Sequence, residues 1–212
     1  MAGPSIKICG ISDPRALDAA IAARADHAGF VFFPPSPRHV PASQAAALAA
    51  RAEGRIGRVG LFVDADDSTI GEALAAARLD AIQLHGRETP ERAAQVKARF
   101  GLPVWKAVPV ASRDDVAKAD TYRNAADLIL FDAKTPEGAL PGGMGLSFDW
   151  TLLAHWKDAM PWGLAGGLTP DNVAQAVALA KPPLVDTSSG VESAPGVKDV
   201  NRIAAFVRAA RN

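Results

Sequence analysis

Eight short apolar runs, at residues 5–8, 27–32, 59–63, 81–84, 104–108, 128–131, 162–165 and 184–186, recur along the chain with alanine-rich segments of mixed charge between them. Each run has the length of a buried strand, and the intervening segments carry helix marks. Three of them open on a capping residue followed by proline: Asp13-Pro14, Thr89-Pro90 and Thr169-Pro170. Proline suits the first helical position, where its missing N–H would have had no partner. Helical spacing is plain in two further places, at Val173, Ala176, Val177 and Ala180 and at Val200, Ile203, Ala204 and Val207, both at i, i+3, i+4 and i+7.

Strands that alternate with helices pair in parallel, and eight such units predict closure into a (β/α)8 TIM barrel, an open doubly wound sheet being the alternative. With 212 residues and 49% hydrophobic content the chain can fill one core of that kind, at the small end of its size range, and reads as a single domain. The fifth connection, 111–125, is polar and poorly periodic and predicts a short or irregular helix. The sixth, 133–147, holds Pro136, Gly138, Pro141, Gly142, Gly143 and Gly145, too many breakers for regular structure. It is a candidate lid over the barrel mouth, or else a solvated surface loop.

Composition narrows the partner. Lys plus Arg equal Asp plus Glu at 23 each, with no basic cluster among aromatics, so neither nucleic acid nor an anionic membrane is expected. No apolar stretch approaches the roughly 20 residues of a membrane span. The single cysteine, Cys9, cannot form an intramolecular disulfide, and no basic-then-apolar leader opens the chain; both fit the cytoplasm. The four histidines, His27, His39, His85 and His155, show no ligand spacing, so no metal is expected. No dinucleotide or triphosphate loop is present, so neither a dinucleotide nor a nucleoside triphosphate is expected. The partner that remains is a small molecule.

Its chemistry is suggested by two stretches that close apolar runs, Ala165-Gly166-Gly167-Leu168 and Asp186-Thr187-Ser188-Ser189-Gly190. Either alone reads as a tight turn. Together, one βα unit apart, they look like a phosphate clamp, because backbone free of bulky side chains can turn several N–H donors inward. Barrels commonly build such a clamp after strands seven and eight. Four side chains could act beside it. Cys9 ends the first strand on the same face as Lys7; it is either a small buried hydrophobe or a group facing the ligand chamber. Asp132 ends the sixth strand, where a carboxyl needs a partner, or is kept as an acid, or caps a helix or pairs with Lys134. Arg38 follows Pro34-Pro35-Ser36-Pro37, a rigid loop that suits bidentate recognition of a carboxylate, unless it is merely an exposed arginine. His85 ends the fourth strand and could donate to a substrate oxygen or be satisfied by backbone.

Taken together, Lys7-Ile8-Cys9-Gly10-Ile11, Gly29-Phe30-Val31-Phe32 with Ser36-Pro37-Arg38, Gln83-Leu84-His85-Gly86, Phe131-Asp132-Ala133-Lys134, Phe148-Asp149-Trp150, Leu164-Ala165-Gly166-Gly167-Leu168 and Asp186-Thr187-Ser188-Ser189-Gly190-Val191-Glu192 resemble the phosphoribosylanthranilate isomerases of tryptophan biosynthesis, in the family's order over residues 6–206. The resemblance implies an Amadori rearrangement of a phosphoribosyl substrate without metal or redox cofactor, in a monomer or homodimer. It implies Asp132 as general acid at the ring oxygen and Cys9 as general base at sugar C2. Arg38 would hold the anthranilate carboxylate, and Gly166, Gly167, Ser188, Ser189 and Gly190 the phosphate. His85 and Asp186 would line the site. Near neutral pH a free thiol is mostly protonated and a free carboxyl mostly ionised, the reverse of these roles, and Lys7 is expected to favour the thiolate. Met144 stands where the family more often has threonine, and Asp186-Thr187 where Asp-Val is commoner. The rival readings are another phosphosugar isomerase, for which an aspartate would be expected in place of Cys9, and a barrel that binds a phosphorylated ligand without turning it over.

Overall fold

Eight parallel strands, β1 (Ser5–Cys9), β2 (His27–Val31), β3 (Gly57–Phe62), β4 (Ala81–Leu84), β5 (Val104–Val110), β6 (Leu128–Ala133), β7 (Trp162–Leu164) and β8 (Leu184–Thr187), are hydrogen-bonded in chain order, and β8 pairs back onto β1. The barrel is closed, as the eight apolar runs predict, and the open sheet is excluded. The protein is represented by a computed structural model that describes residues 3–136, 142–156 and 160–212. Seven helices are present among them: α1 (Pro14–Ala22), α2 (Ala42–Ala52), α3 (Asp67–Ala77), α4 (Pro90–Phe100), α5 (Arg113–Lys118), α6 (Val173–Ala180) and α7 (Val200–Arg211).

Alternation along each strand sorts the residues into two layers. One set, including Ile6, Ile8, Phe30, Ile82, Ile129, Phe131 and Val185, packs outward against the helices in the main core. The other points into the barrel, where Val59, Ala81, Trp105, Leu130, Ala165 and Leu184 form an apolar plug. Two residues further along the same inward rows the chemistry changes: Ala81 is followed by Gln83, Leu130 by Asp132 and Leu184 by Asp186. The interior is thus apolar low down and polar toward the strands' C-terminal ends.

Helix starts follow local rules. Asp13 accepts from the N–H groups of Arg15 and Ala16, with Pro14 at the first helical position, and Thr89 caps α4 ahead of Pro90. Thr169-Pro170 behaves differently. Thr169 accepts from Asp171 N–H, but α6 starts only at Val173, after one turn in which Asn172 Oδ1 takes the Thr169 N–H at 2.8 Å. The face of α7 is also shifted from its expected register: Ile203, Phe206, Val207 and Ala210 are buried, whereas Ala204 is exposed. Phe206 outweighs alanine because it removes far more apolar area from water.

The fifth connection is short and irregular as expected, six residues of α5 followed by a 3-10 turn over Ala119–Tyr122. In the sixth, residues 134–136 and 142–149 carry no regular structure, and Gly138 and Pro141 of the expected lid lie outside the described residues. A 3-10 turn, Trp150–His155, takes the place of a helix there. Phe131 seals that side of the barrel, with Trp156 edge-on at 5.2 Å and Trp162 at 6.0 Å. One element was not foreseen, a small antiparallel pair β9 (Glu192–Ala194) and β10 (Val197–Lys198) after β8.

Candidate active site

The C-terminal ends of the strands open into one cavity, and the ten residues expected from the sequence to act on or hold the ligand all line it, with Lys7 buried behind them. Its chemistry falls into three groups.

The first is buried in the barrel wall. Lys7 on β1 and Asp186 on β8 are register partners, and Lys7 Nζ contacts both carboxylate oxygens at 3.0 Å. Lys7 is fully buried, and its charge acts on the Cys9 thiol two residues further along β1. Burial pulls the lysine down, but Asp186 and Cys9 outweigh it and the Lys7 pKa is raised. The ammonium therefore stays charged. Burial pushes the Asp186 carboxyl up, but two-oxygen contact at 3.0 Å is the geometry of an ion pair, and the charged pair is the state that satisfies both groups. Cys9 is buried and its thiol is pushed up, chiefly by burial, with Lys7 pulling it back toward the thiolate and Asp186 adding to the rise. Position alone does not make it a ready base. Lys7 is the group that offsets the cost.

The second group faces it from β4 and β6. Asp132 Oδ2 lies 3.1 Å from His85 Nε2, and its Oδ1 accepts from the Ala133 N–H at 2.8 Å. Asp132 thus pairs with His85, and Lys134 takes no part. His85 is satisfied by two side chains, Asp132 on Nε2 and the Gln83 amide at 2.9 Å on Nδ1, where backbone had been the alternative.

The third group is built around Arg38. Arg38 is buried, and its guanidinium is forked by Glu192, with Nε donating to Oε1 at 2.7 Å and Nη2 to Oε2 at 2.8 Å. Nη2 also donates to the Gly143 carbonyl at 3.1 Å, so the sixth connection reaches the arginine. The proline loop delivers Arg38, but Glu192 orients it. Lys198, buried on β10, donates to the same carboxylate at 2.7 Å and to the Ser188 carbonyl at 2.9 Å. Burial would raise the Glu192 carboxyl, yet the Arg38 hydrogen bonds and the Lys198 charge together hold it at about 2. Glu192 and Lys198 were given no role from sequence. Glu192 stands two residues past the clamp motif and could have been read as a countercharge for Arg38; Lys198 is brought in by a hairpin that left no periodic signal.

At the presumed clamp, Gly166 (φ 82°) and Gly167 (φ 63°) turn the chain through the left-handed region, where a side chain would be strained. The N–H groups of Gly166, Gly167, Ser189 and Gly190 donate to no acceptor among the described residues. The two turns are fastened together, since the Thr187 hydroxyl donates to the Leu168 carbonyl at 2.7 Å, and Asn172 Nδ2 donates to the Gly167 carbonyl at 2.9 Å. Threonine in place of the commoner valine at 187 supplies that cross-link. Among the described residues no cluster of histidine, cysteine and carboxylate side chains could hold a metal ion.

Comparison with known proteins agrees with this geometry. Residues 6–209 match the family model for N-(5'phosphoribosyl)anthranilate (PRA) isomerase. An N-(5'-phosphoribosyl)anthranilate isomerase of Paramagnetospirillum magneticum is 54% identical over 207 residues, covering 97% of this chain and 96% of the relative. One of Cereibacter sphaeroides is 53% identical over 214 residues and covers both chains fully, at 100%. The crystal structure of the Thermotoga maritima phosphoribosyl anthranilate isomerase superposes with a TM-score of 0.88 at 36% identity, covering 98% of each chain. A crystal structure of such an isomerase in complex with reduced 1-(o-carboxyphenylamino)-1-deoxyribulose 5-phosphate does so at 0.86 and 34% identity, again over 98% of each chain. On the strength of the full-length matches and the shared barrel, this chain belongs to the N-(5'-phosphoribosyl)anthranilate isomerase family.

Proposed function

We propose that the chain catalyses the Amadori rearrangement of N-(5-phosphoribosyl)anthranilate to 1-(2-carboxyphenylamino)-1-deoxyribulose 5-phosphate, in tryptophan biosynthesis, by general acid–base catalysis. The observation that carries this reading is the meeting, in one cavity, of a thiol, a carboxyl on a histidine, an arginine fork and two turns rich in N–H groups. The substrate has a phosphate at one end, a carboxylate at the other and a sugar ring between. The cavity offers a matching group for each.

In this reading Gly166, Gly167, Ser188, Ser189 and Gly190 hold the phosphate and Arg38 the anthranilate carboxylate. Two anchored ends fix the sugar between β1 and β6, which lowers the entropic part of the barrier. Asp132 gives its proton to the ring oxygen as the bond from that oxygen to C1 breaks, and the anthranilate nitrogen supplies the electron pair for a Schiff base. Cys9, as thiolate, then removes the proton from C2, and the electrons move toward the nitrogen to give an enolamine that tautomerises to the ketone. Acid and base are each worth roughly 10²–10⁴-fold in such a reaction. His85 orients Asp132, and Asp186 holds Lys7 beside Cys9.

The reading includes one catalytic barrel working in the cytoplasm as a monomer or homodimer. Among the described residues no helix is long and apolar enough to cross a membrane.

The test uses freshly made phosphoribosylanthranilate, which is fluorescent. Loss of its anthranilate-type emission with the parent, and not with Cys9→Ser or Asp132→Asn, is the expected result. A folded parent that binds a phosphorylated ligand yet leaves the emission unchanged would discard the isomerase reading.

A further inference from the structure

Gln83 lies one step below His85 on the inward row of β4, wholly buried, with its side-chain amide nitrogen 2.9 Å from His85 Nδ1. Across the same imidazole, Nε2 is 3.1 Å from Asp132 Oδ2. The other Asp132 oxygen is taken by the Ala133 N–H, so Oδ2 is the one left to exchange a proton. The imidazole stands between an amide and the acid.

What the amide presents to Nδ1 decides how many protons the far side can carry, because the two ring nitrogens are linked through one tautomer. With the amide N–H₂ toward Nδ1, that nitrogen must be bare. Neutral His85 then carries its proton on Nε2 and donates it to an ionised Asp132, which has nothing to give a ligand. With the amide oxygen toward Nδ1, that nitrogen carries the proton, and Nε2 presents a lone pair to Asp132. A further proton is then held between Nε2 and Oδ2. The two arrangements differ by a half turn of a soft terminal torsion that leaves the shape of the side chain unchanged.

In the first arrangement Gln83 Oε1 is buried with no hydrogen-bond partner, at a typical cost of about 1–3 kcal/mol. The half turn gives that oxygen the Nδ1–H of His85 as its donor. In the first orientation the surroundings give Oε1 no donor, so the contact with Nδ1 is what ties the orientation of the amide to the proton state of His85 and Asp132. Asp186 on β8, paired with Lys7 on β1, is the other charge that interacts with both His85 and Asp132.

Resting on the isomerase reading above, we propose that Gln83 is a positioning residue whose amide oxygen holds the proton of His85 on Nδ1, so that the proton between His85 Nε2 and Asp132 Oδ2 is the one passed to the sugar ring oxygen. In that step the Oδ2–H bond breaks as a new O–H bond forms on the ring oxygen. The ionised carboxylate then faces a bare Nε2, and a proton taken from solvent restores the pair.

The experiment is ¹⁵N NMR of the histidine ring nitrogens in the intact parent at neutral pH, with His85 assigned by its absence from His85→Asn. The expected spectrum shows Nδ1 of His85 protonated; a bare Nδ1 with the proton on Nε2 alone overturns the proposal without needing a variant in the core. Kinetics supply the second arm. Gln83→Glu, which accepts through an ionised carboxylate, is expected to retain kcat within a few-fold. Gln83→Met, which cannot accept, is expected to lower kcat by about 10- to 100-fold with KM nearly unchanged. Equal losses in both folded variants, or no loss in Gln83→Met, also overturn it. Turnover by the parent in the same assay separates the two layers: a parent that turns over while its Nδ1 is bare removes the role of Gln83 and leaves the isomerase, and a parent without turnover removes both.

Discussion

Glu192 grips Arg38 with both carboxylate oxygens, at 2.7 Å on Nε and 2.8 Å on Nη2, and this fork fixes the plane of the guanidinium at the cavity wall. Glu192→Gln keeps the shape but replaces one acceptor with an N–H₂ that opposes the guanidinium. The arginine then has to be ordered by the ligand itself, which weakens binding before chemistry begins. KM is expected to rise about tenfold, about 1.4 kcal/mol, with kcat nearly unchanged. Steady-state kinetics check it; an unchanged KM would mean that Arg38 does not need Glu192 to meet its ligand.

The same residue makes stability depend on pH. Its carboxyl is held at about 2 in the folded chain, against an ordinary 4.5. A group depressed on folding contributes stability that is complete above its unfolded pKa and is lost as pH falls through the folded one. The stability gap between parent and Glu192→Gln is therefore widest above pH 5 and closes between pH 4.5 and about 2. Allowing for solvent at the cavity mouth, the gap is expected to be about 2 kcal/mol at its widest. Urea unfolding of both proteins at pH 6, 4 and 3 measures it, and a gap as wide at pH 3 as at pH 6 contradicts the ion pairs.

Lys7 is the main group that draws the Cys9 thiol toward its thiolate, against burial and Asp186, which both push it up. With the lysine gone those two act almost unopposed. For Lys7→Met the acid limb of kcat/KM, which reports the base, is expected to move alkaline by about 1–3 pH units. The single variant leaves Asp186 buried without its partner and risks unfolding. Lys7→Met with Asp186→Asn removes both charges, and a smaller shift in the same direction is expected. A limb that coincides with the parent's in both proteins would free Lys7 of this role.

Much of this architecture can be read from the chain before any fold is known, and the misses have physical causes. The eight strands were legible because each is a dense apolar run bounded by breakers, and Cys9, His85 and Asp132 stood out as polar or reactive residues at the ends of such runs, whereas Asp186 entered as a site residue only through the family resemblance. Thr169-Pro170 misled because its capping signal is real but is spent on one turn before α6, where Asn172 closes the Thr169 N–H. Alanine spacing placed Ala204 on the buried face of α7, but in a chain so rich in alanine that spacing arises by chance, and Phe206 decides the register. Lys198 was invisible: the hairpin that carries it is two short strands, and its partners Glu192 and Ser188 lie six and ten residues away without a repeating pattern. Gln83 was read only as part of a motif, because what distinguishes it is an orphan oxygen beside a histidine, and that appears only in three dimensions.

Three helices end on a residue other than glycine in the left-handed region: Glu53 at φ 45°, Arg78 at 45° and Lys181 at 51°. Each donates its N–H to the carbonyl four residues back, so the cap geometry is fixed and the side chain bears the strain. Glycine relieves that strain but adds freedom to the unfolded chain, so the net gain is smaller than the steric cost of roughly 1–2 kcal/mol. Arg78→Gly and Lys181→Gly are each expected to stabilise by about 0.5–1 kcal/mol, and additively, since they cap separate helices. Thermal unfolding of the two single variants and the double variant checks this; a lower Tm for either would mean that the replaced side chain contributes more than its backbone strain costs.

Gly142 brings the sixth connection down onto His85 and Asp132. A Cβ there would stand 2.8 Å from His85 Nε2 and 3.4 Å from Asp132 Oδ2, at a φ of 72° that already disfavours any side chain. Both atoms belong to the pair that handles the proton in the proposed reaction, so a methyl group at this point has to lift the loop or turn the imidazole. Lifting the loop also draws away the Gly143 carbonyl from Arg38, which links Asp132 and Arg38 through two adjacent residues. Gly142→Ala is expected to lower kcat about tenfold, the cost of a small misplacement at a proton-transfer site, while the Tm moves by only a degree or two because the altered backbone belongs to an irregular loop outside the packed core. Steady-state kinetics beside thermal unfolding separate the two effects. A parent-like kcat in Gly142→Ala would show that this loop stands clear of His85 and Asp132 during turnover.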